Sequence, residues 1–157
     1  MGKAGLEAAR HHGSALPQFK SRDEAQRVLY EQRDRELYAL RTAAEQSETF
    51  VCDYTSESLK GLERWYFSLV ESNEFAAVGM ARQAMEQAIS FYFGQVFVTV
   101  AGFQWVVEEF VFVPSRFQIG VRRGLVTIMV TLPSDIAARP GNKRRESMWR
   151  EFRKWAA

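Results

Sequence analysis

Residues 81–132 read ARQAMEQAISFYFGQVFVTVAGFQWVVEEFVFVPSRFQIGVRRGLVTIMVTL, and the architecture turns on where this stretch stops being helix. Ala77, Ala81, Ala84 and Ala88 recur at i, i+4, i+7 and i+11, a stripe of small side chains that lets a helix lie close to its neighbour. Val78, Met85, Ile89 and Tyr92 flank the stripe. The spacing predicts a helix capped at Asn73, running to about Tyr92 and ended by Gly94. Four strands are then expected at roughly 95–100, 103–113, 117–122 and 125–132. Turns at Ala101-Gly102, Pro114-Ser115-Arg116 and Arg123-Gly124 are short, so neighbours should pair antiparallel. Alternation is clean in Phe117, Ile119 and Val121, and again in Val126, Ile128, Val130 and Leu132. It fails once. Phe103, Trp105 and Val107 share one face, whereas Phe110 and Phe112 fall on the other, so a β-bulge is expected at Glu108-Glu109.

Working outward, Ser21 with Glu24 three residues on reads as a capping box for a heavily charged helix over about 22–46. Its apolar stripe of Val28, Leu29, Leu37, Leu40 and Ala44 is partial, and Arg33 interrupts it. Phe50, Val51 and Tyr54 suit a short strand or extended linker. A second helix over about 57–72, capped by Thr55 or Ser56, buries Leu59, Leu62, Tyr66, Leu69 and Val70. After a polar loop to Asn142, a last helix from about Lys143 to Trp155 puts Met148, Trp149, Phe152 and Trp155 on one stripe and basic residues on the other. The fold class is therefore α+β: N-terminal helices, a four-stranded antiparallel meander, and a C-terminal amphipathic helix packed on it. Residues 1–20 carry no sustained pattern and are expected to be poorly ordered, with residues 21–157 forming a single domain.

The 157 residues are 46% apolar and 25% charged, ordinary for a globular protein. No apolar run nears the roughly 20 residues a membrane span needs, and the N-terminus lacks the apolar centre of a secretory signal. A cytoplasmic protein without membrane contact is expected. The net charge of +2 is segregated: residues 45–113 hold 3 basic and 10 acidic side chains, and residues 114–157 hold 10 basic and 3 acidic. The basic tail either folds over the acidic middle or presents a second charged face. An acidic middle repels phosphates, so nucleic acid is not expected as a partner.

Catalytic constellations are scarce. His11 and His12 stand together in the unpatterned start, and Cys52 is the lone cysteine, read as a small buried hydrophobe. YFGQVFV has one glycine and precedes a strand, the wrong order for a phosphate cradle. No metal and no cofactor are expected. Glu108 and Glu109 are the candidate pocket carboxylates, since a bulge re-aims side chains. The acidic middle offers another reading. Glu63, Phe67, Glu71 and Glu74 would form a footprint for a basic protein partner, with Phe67 as an exposed aromatic anchor.

SLKGLERWYFSLVES, followed by AISFYFGQVFVTVAGFQWVVEEF, resembles small bacterial α+β domains of unknown function. There a helix runs into a tyrosine–glycine step, a strand, a Gly turn and a strand bearing Trp, matched here by Tyr92, Gly94, Gly102 and Trp105. Some such domains are taken to be immunity proteins, which block a toxin by binding it, and the resemblance brings no catalytic residues. It implies a non-enzymatic protein-binding domain neutralising a basic toxin through the acidic helical face. The alternative is a small hydrolase or ligand-binding domain with a carboxylate site between sheet and helix. A homodimer through the exposed strand edge or the aromatic C-terminal helix is compatible with both.

Overall fold

The computed structural model describes residues 2–131 and 146–157. Among them it has α1 (Lys3–Ser14), α2 (Arg22–Ala44), α3 (Ser58–Ser72), a 3-10 turn (Phe75–Val78), α4 (Arg82–Ala101), β1 (Gln104–Glu109), β2 (Phe117–Arg123), β3 (Val126–Met129) and α5 (Ser147–Ala156). The helices-then-sheet order is as expected, but the sheet has three strands, in the antiparallel order β1-β2-β3.

The missing strand is the second half of α4. Phe91, Tyr92, Phe93, Gly94, Val96 and Phe97 are all buried, so the helix is apolar nearly all round. A short run of that kind cannot be told from a buried strand by periodicity. Gly94 does not end the helix. A Cβ there would stand 2.8 Å from Trp105 Cη2, so its role is to admit the indole. The helix ends instead at Gly102, at φ 74, where the Phe103 amide donates to Phe97 O at 3.3 Å. The alanine stripe is also divided: Ala77 lies in the 3-10 turn, Ala81 precedes α4, and only Ala88 of the four is buried.

There is no bulge. Glu108 faces Gln118 and Glu109 faces Phe117 in an unbroken ladder. The parity break has a simpler cause: the strand stops at Glu109. Phe110 then turns onto His12, with ring centroids 5.6 Å apart, while Gly13 is so tightly covered that a Cβ would meet Phe110 and Val113 at 2.6 Å. This explains why residues 3–14 form a helix despite the absence of a local pattern. Their far end is tied down by Phe19 N–H to Ser115 O at 2.9 Å, Phe117 N–H to Pro17 O at 3.1 Å and Arg116 Nη1–H to Leu16 O at 2.7 Å.

The Ser21 cap is present, with Ser21 Oγ accepting from the Glu24 amide at 3.2 Å. At α3, Thr55 Oγ1 accepts from the Ser58 amide at 3.2 Å. Gly61 lets the preceding turn cross α3, because a Cβ there would meet Thr49 O at 2.3 Å. The main core joins the end of α2 to α3, α4 and α5 through Leu40, Phe50, Leu62, Tyr66, Tyr92, Phe97 and Met148. A smaller cluster of Ala25, Leu29, Phe91, Val107, Phe117 and Ile119 seats the sheet on α2 and α4. Leu132, the loop to Asn142 and the expected helix start at Lys143 lie outside the described residues.

Candidate interaction surface

The C-terminal helix docks on its own domain, but on α3 and α4 more than on the sheet. Met148 and Phe152 are buried, and Phe152 meets Phe97 with centroids 4.8 Å apart. Both ends are clamped. Glu63, 2% exposed, turns its carboxylate into the first turn of α5. It accepts from the amides of Glu146, of Ser147 at 3.1 Å and of Met148 at 3.3 Å. A carboxylate at a helix N-terminus satisfies free donors and opposes the helix dipole. Burial pushes the Glu63 carboxyl above the ordinary range, against the pull of those amides and of Arg150. At the other end, Arg123 from β2 donates to Ala101 O at 2.7 Å, Ala156 O at 3.2 Å and Ala157 O at 3.1 Å. Lys60 Nζ lies 4.2 Å from the Trp149 ring. The basic helix is thus folded onto α3 and α4.

This reshapes the acidic footprint. Glu63 faces inward and serves the fold. Phe67 is half-buried against Tyr66, at 5.5 Å between centroids, rather than exposed. Glu57 pairs with Lys60 at 3.1 Å and Glu86 with Arg82 at 3.1 Å. Tyr66 donates to Glu86 at 2.6 Å, and burial beside that carboxylate raises its phenol to about 12. Glu71 and Glu74 remain exposed, with no ion pair among the described residues.

Glu108 and Glu109 do not converge. Glu108 pairs with Arg122 across the sheet, and Glu109 Oε2 accepts from the Ser115 amide at 3.1 Å inside the hairpin loop. Between sheet and α4 stand Phe91 and Trp105, with centroids 6.3 Å apart, where a carboxylate pocket was expected. Among the described residues no group of three His, Cys, Asp or Glu side chains is placed to hold a metal ion, and no helix is long and apolar enough to cross a membrane.

Another place draws attention. Tyr54 is not in extended chain: its φ is 60, a left-handed conformation that a bulky residue rarely adopts. The cause is Tyr92, fully buried below it. The Tyr54 amide donates to Tyr92 Oη at 2.9 Å, and Tyr92 Oη lies 2.6 Å from Ser58 Oγ. Ser58 spends its own proton on Thr55 O at 2.6 Å, so Tyr92 is the donor of that middle bond. The two tyrosine rings stack at 5.0 Å, and burial drives the Tyr92 phenol far above its ordinary value. The chain of bonds holds Tyr54 over α2, where Arg41 Cζ lies 5.8 Å from its ring centroid. Asp34, Leu37, Tyr38 and Arg41, one face of α2, and Tyr54 line a cleft of about 210 Å³. Tyr38 is 73% exposed beside it, and Val51, in the loop that leads to Tyr54, is 69% exposed. Cys52 is half-buried there, and burial pushes both its thiol and the Tyr54 phenol up. A second hollow of about 430 Å³ lies among Gln18, Phe19, Lys20, Glu24 and Ser115. Its Glu24 carboxylate already accepts from the Lys20 amide at 2.9 Å.

In the sequence, Tyr38 and Arg41 stand on a helix face whose charges mark it as solvated. The available signal was Tyr38 itself, an aromatic beside the α2 stripe rather than in it.

The model of the family described as uncharacterised protein YwmA matches residues 18–156, and the chain belongs to that family. The match spans α2 to α5 and leaves α1 outside. No curated protein and no solved structure matches the chain.

Proposed function

We propose that this member of the family is a protein-binding domain that works without catalysis, and that its contact surface is the face formed by Tyr38, Arg41 and Tyr54. The observation that carries this reading is the exposure of Tyr38, at 73%, on a cleft lined by a second tyrosine and an arginine. Tyr and Arg are enriched among residues that dominate binding energy, because each combines a large contact area with directed polar atoms. The left-handed Tyr54 costs of order 1 kcal/mol, and such strain tends to collect where a side chain must be held in place. Deeper polar groups serve the fold: Tyr92 and Ser58 hold the loop, and Glu63 holds α5. A thiol with a raised pKa, as at Cys52, is a poor nucleophile at neutral pH. The test is capture from the producing cells with wild type and with Tyr38→Ala/Arg41→Ala at equal folded fraction. A protein held by the wild type and lost by the variant is the expected result. Equal retention by both removes this face.

A second reading, an immunity-type protein that neutralises a basic toxin, is favoured by Glu71 and Glu74. They are exposed at the end of α3 while the neighbouring acids are paired or buried. On this reading Glu71→Lys/Glu74→Lys abolishes capture and added salt weakens it. Capture that survives both changes excludes it.

A further inference from the structure

We infer that the Tyr38–Arg41–Tyr54 cleft takes a carboxylate side chain from an extended segment of a partner protein, with an apolar neighbour of that residue lying on Tyr38. The inference rests on the protein-binding reading above and adds the chemistry of the partner.

Charge complementarity carries it. The cleft is lined by two charged residues, Asp34 and Arg41. Asp34 is already engaged, accepting from Arg33 Nε at 3.0 Å. Arg41 has no carboxylate within ion-pair distance among the described residues. The other acid of this loop, Asp53, uses Oδ1 to accept from the Thr55 amide at 3.1 Å and from its hydroxyl at 2.7 Å. The guanidinium therefore shares its donors with the Tyr54 hydroxyl and the Cys52 thiol, beside the Tyr54 ring, and has no carboxylate partner among the described residues. A planar guanidinium offers a fork of donors that matches a carboxylate in two parallel bonds.

Size and preorganisation point the same way. At about 210 Å³ the cleft is below the roughly 300–1,000 Å³ of small-molecule pockets, and suits one or two side chains of a longer chain. Tyr54 is pinned through its amide to buried Tyr92, so this wall needs no ordering on binding. Exposed Tyr38 gives the neighbouring apolar residue somewhere to lie.

The test uses the full chain and fluorescein-labelled octapeptides with a central Leu-Glu-Leu, Leu-Gln-Leu or Leu-Lys-Leu, read by fluorescence anisotropy. The Glu peptide should bind at least tenfold tighter than the Gln peptide, and the Lys peptide weakest. Arg41→Gln should erase the Glu-over-Gln preference with an unchanged melting temperature, Arg41→Lys should restore it only in part, and Glu71→Lys/Glu74→Lys should leave it intact. Equal affinity for the Glu and Gln peptides, or no binding of the Glu peptide at millimolar concentration, overturns the carboxylate inference. The surface reading fails separately, when Tyr38→Ala/Arg41→Ala leaves capture of the cellular partner unchanged.

Discussion

Replacing Glu63 by Ala should release the C-terminal helix while leaving the rest of the domain folded. The carboxylate accepts from three backbone amides at the start of α5. The Glu146 and Ser147 residues are half-exposed, so water can reach their amides, whereas Met148 is buried. A buried donor left unmade costs about 1–3 kcal/mol, and hydrogen bonds to a charged acceptor contribute about 1.5–3 kcal/mol, so the loss is put at about 3–4 kcal/mol after relief of the buried charge. Against this, Met148 and Phe152 bury their side chains against α3 and α4, which contributes about 1.5–3 kcal/mol each. The loss is thus comparable to the burial of these two side chains. Hydrogen exchange followed by mass spectrometry reads the outcome directly. At about 1.4 kcal/mol per tenfold, protection over residues 148–156 should fall at least a hundredfold, while residues 59–69 keep theirs within threefold. Unchanged α5 protection would refute the clamp. Equal loss over both segments would show that α5 is not a separable unit.

Three further outcomes follow from the same contacts. Burial raises Glu63 above its ordinary 4.5, so the native state binds this proton more tightly than the unfolded chain does. The proton-linked part of the stability at Glu63 is then fully present below that value and is lost as pH rises through the raised one, while the bonds from the three amides remain. Protection of α5 should therefore be stronger at pH 5 than at pH 7, and Glu63→Gln should flatten that slope; a slope of opposite sign would contradict the burial argument. Gly61→Ala places a methyl 2.3 Å from Thr49 O, a backbone atom that cannot swing away, and should cost about 2 kcal/mol or more in urea unfolding. A loss under 0.5 kcal/mol would mean that the 47–50 turn does not cross α3 so closely. Tyr92→Phe removes the acceptor of the Tyr54 amide and the donor to Ser58, at about 1–3 kcal/mol, and should weaken partner capture because Tyr54 is no longer held. A variant that loses stability but binds as before would separate the strain from the function.

Side-chain periodicity exposed only part of this fold. The Ser21 cap, the β2 and β3 faces and most of the stripe Met148, Trp149, Phe152 and Trp155 were legible because each is a local pattern whose partner need not be known, although Trp155 is 41% exposed rather than docked. Residues 91–100 were not, because a helix buried on most sides loses the polar face that marks its period. The parity break at Glu108-Glu109 was real but had two causes available, a bulge or an end, and only the partner strand decides between them. Gly13 of α1 packs against Phe110 and Val113, about 100 residues away, so no local signal announces that contact. Glu63 looked like any exposed helix acid, since the amides that claim it belong to residues 146–148. The Tyr54 conformation arises from Tyr92, 38 positions on, and sequence spacing carries no trace of that bond.

The central claim is that the α2 face around Tyr38 meets another protein. A photo-crosslinking amino acid placed at position 38, in the full chain expressed in its own cells, tests it most directly, with the same probe at exposed Arg27 and at Glu71 as references. One discrete protein adduct from position 38, absent from position 27 and lost when Arg41→Gln is added, is the expected result. No adduct at position 38, or the same adducts from all three positions, would contradict it. A discrete adduct from position 71 alone would move the contact to the acidic end of α3.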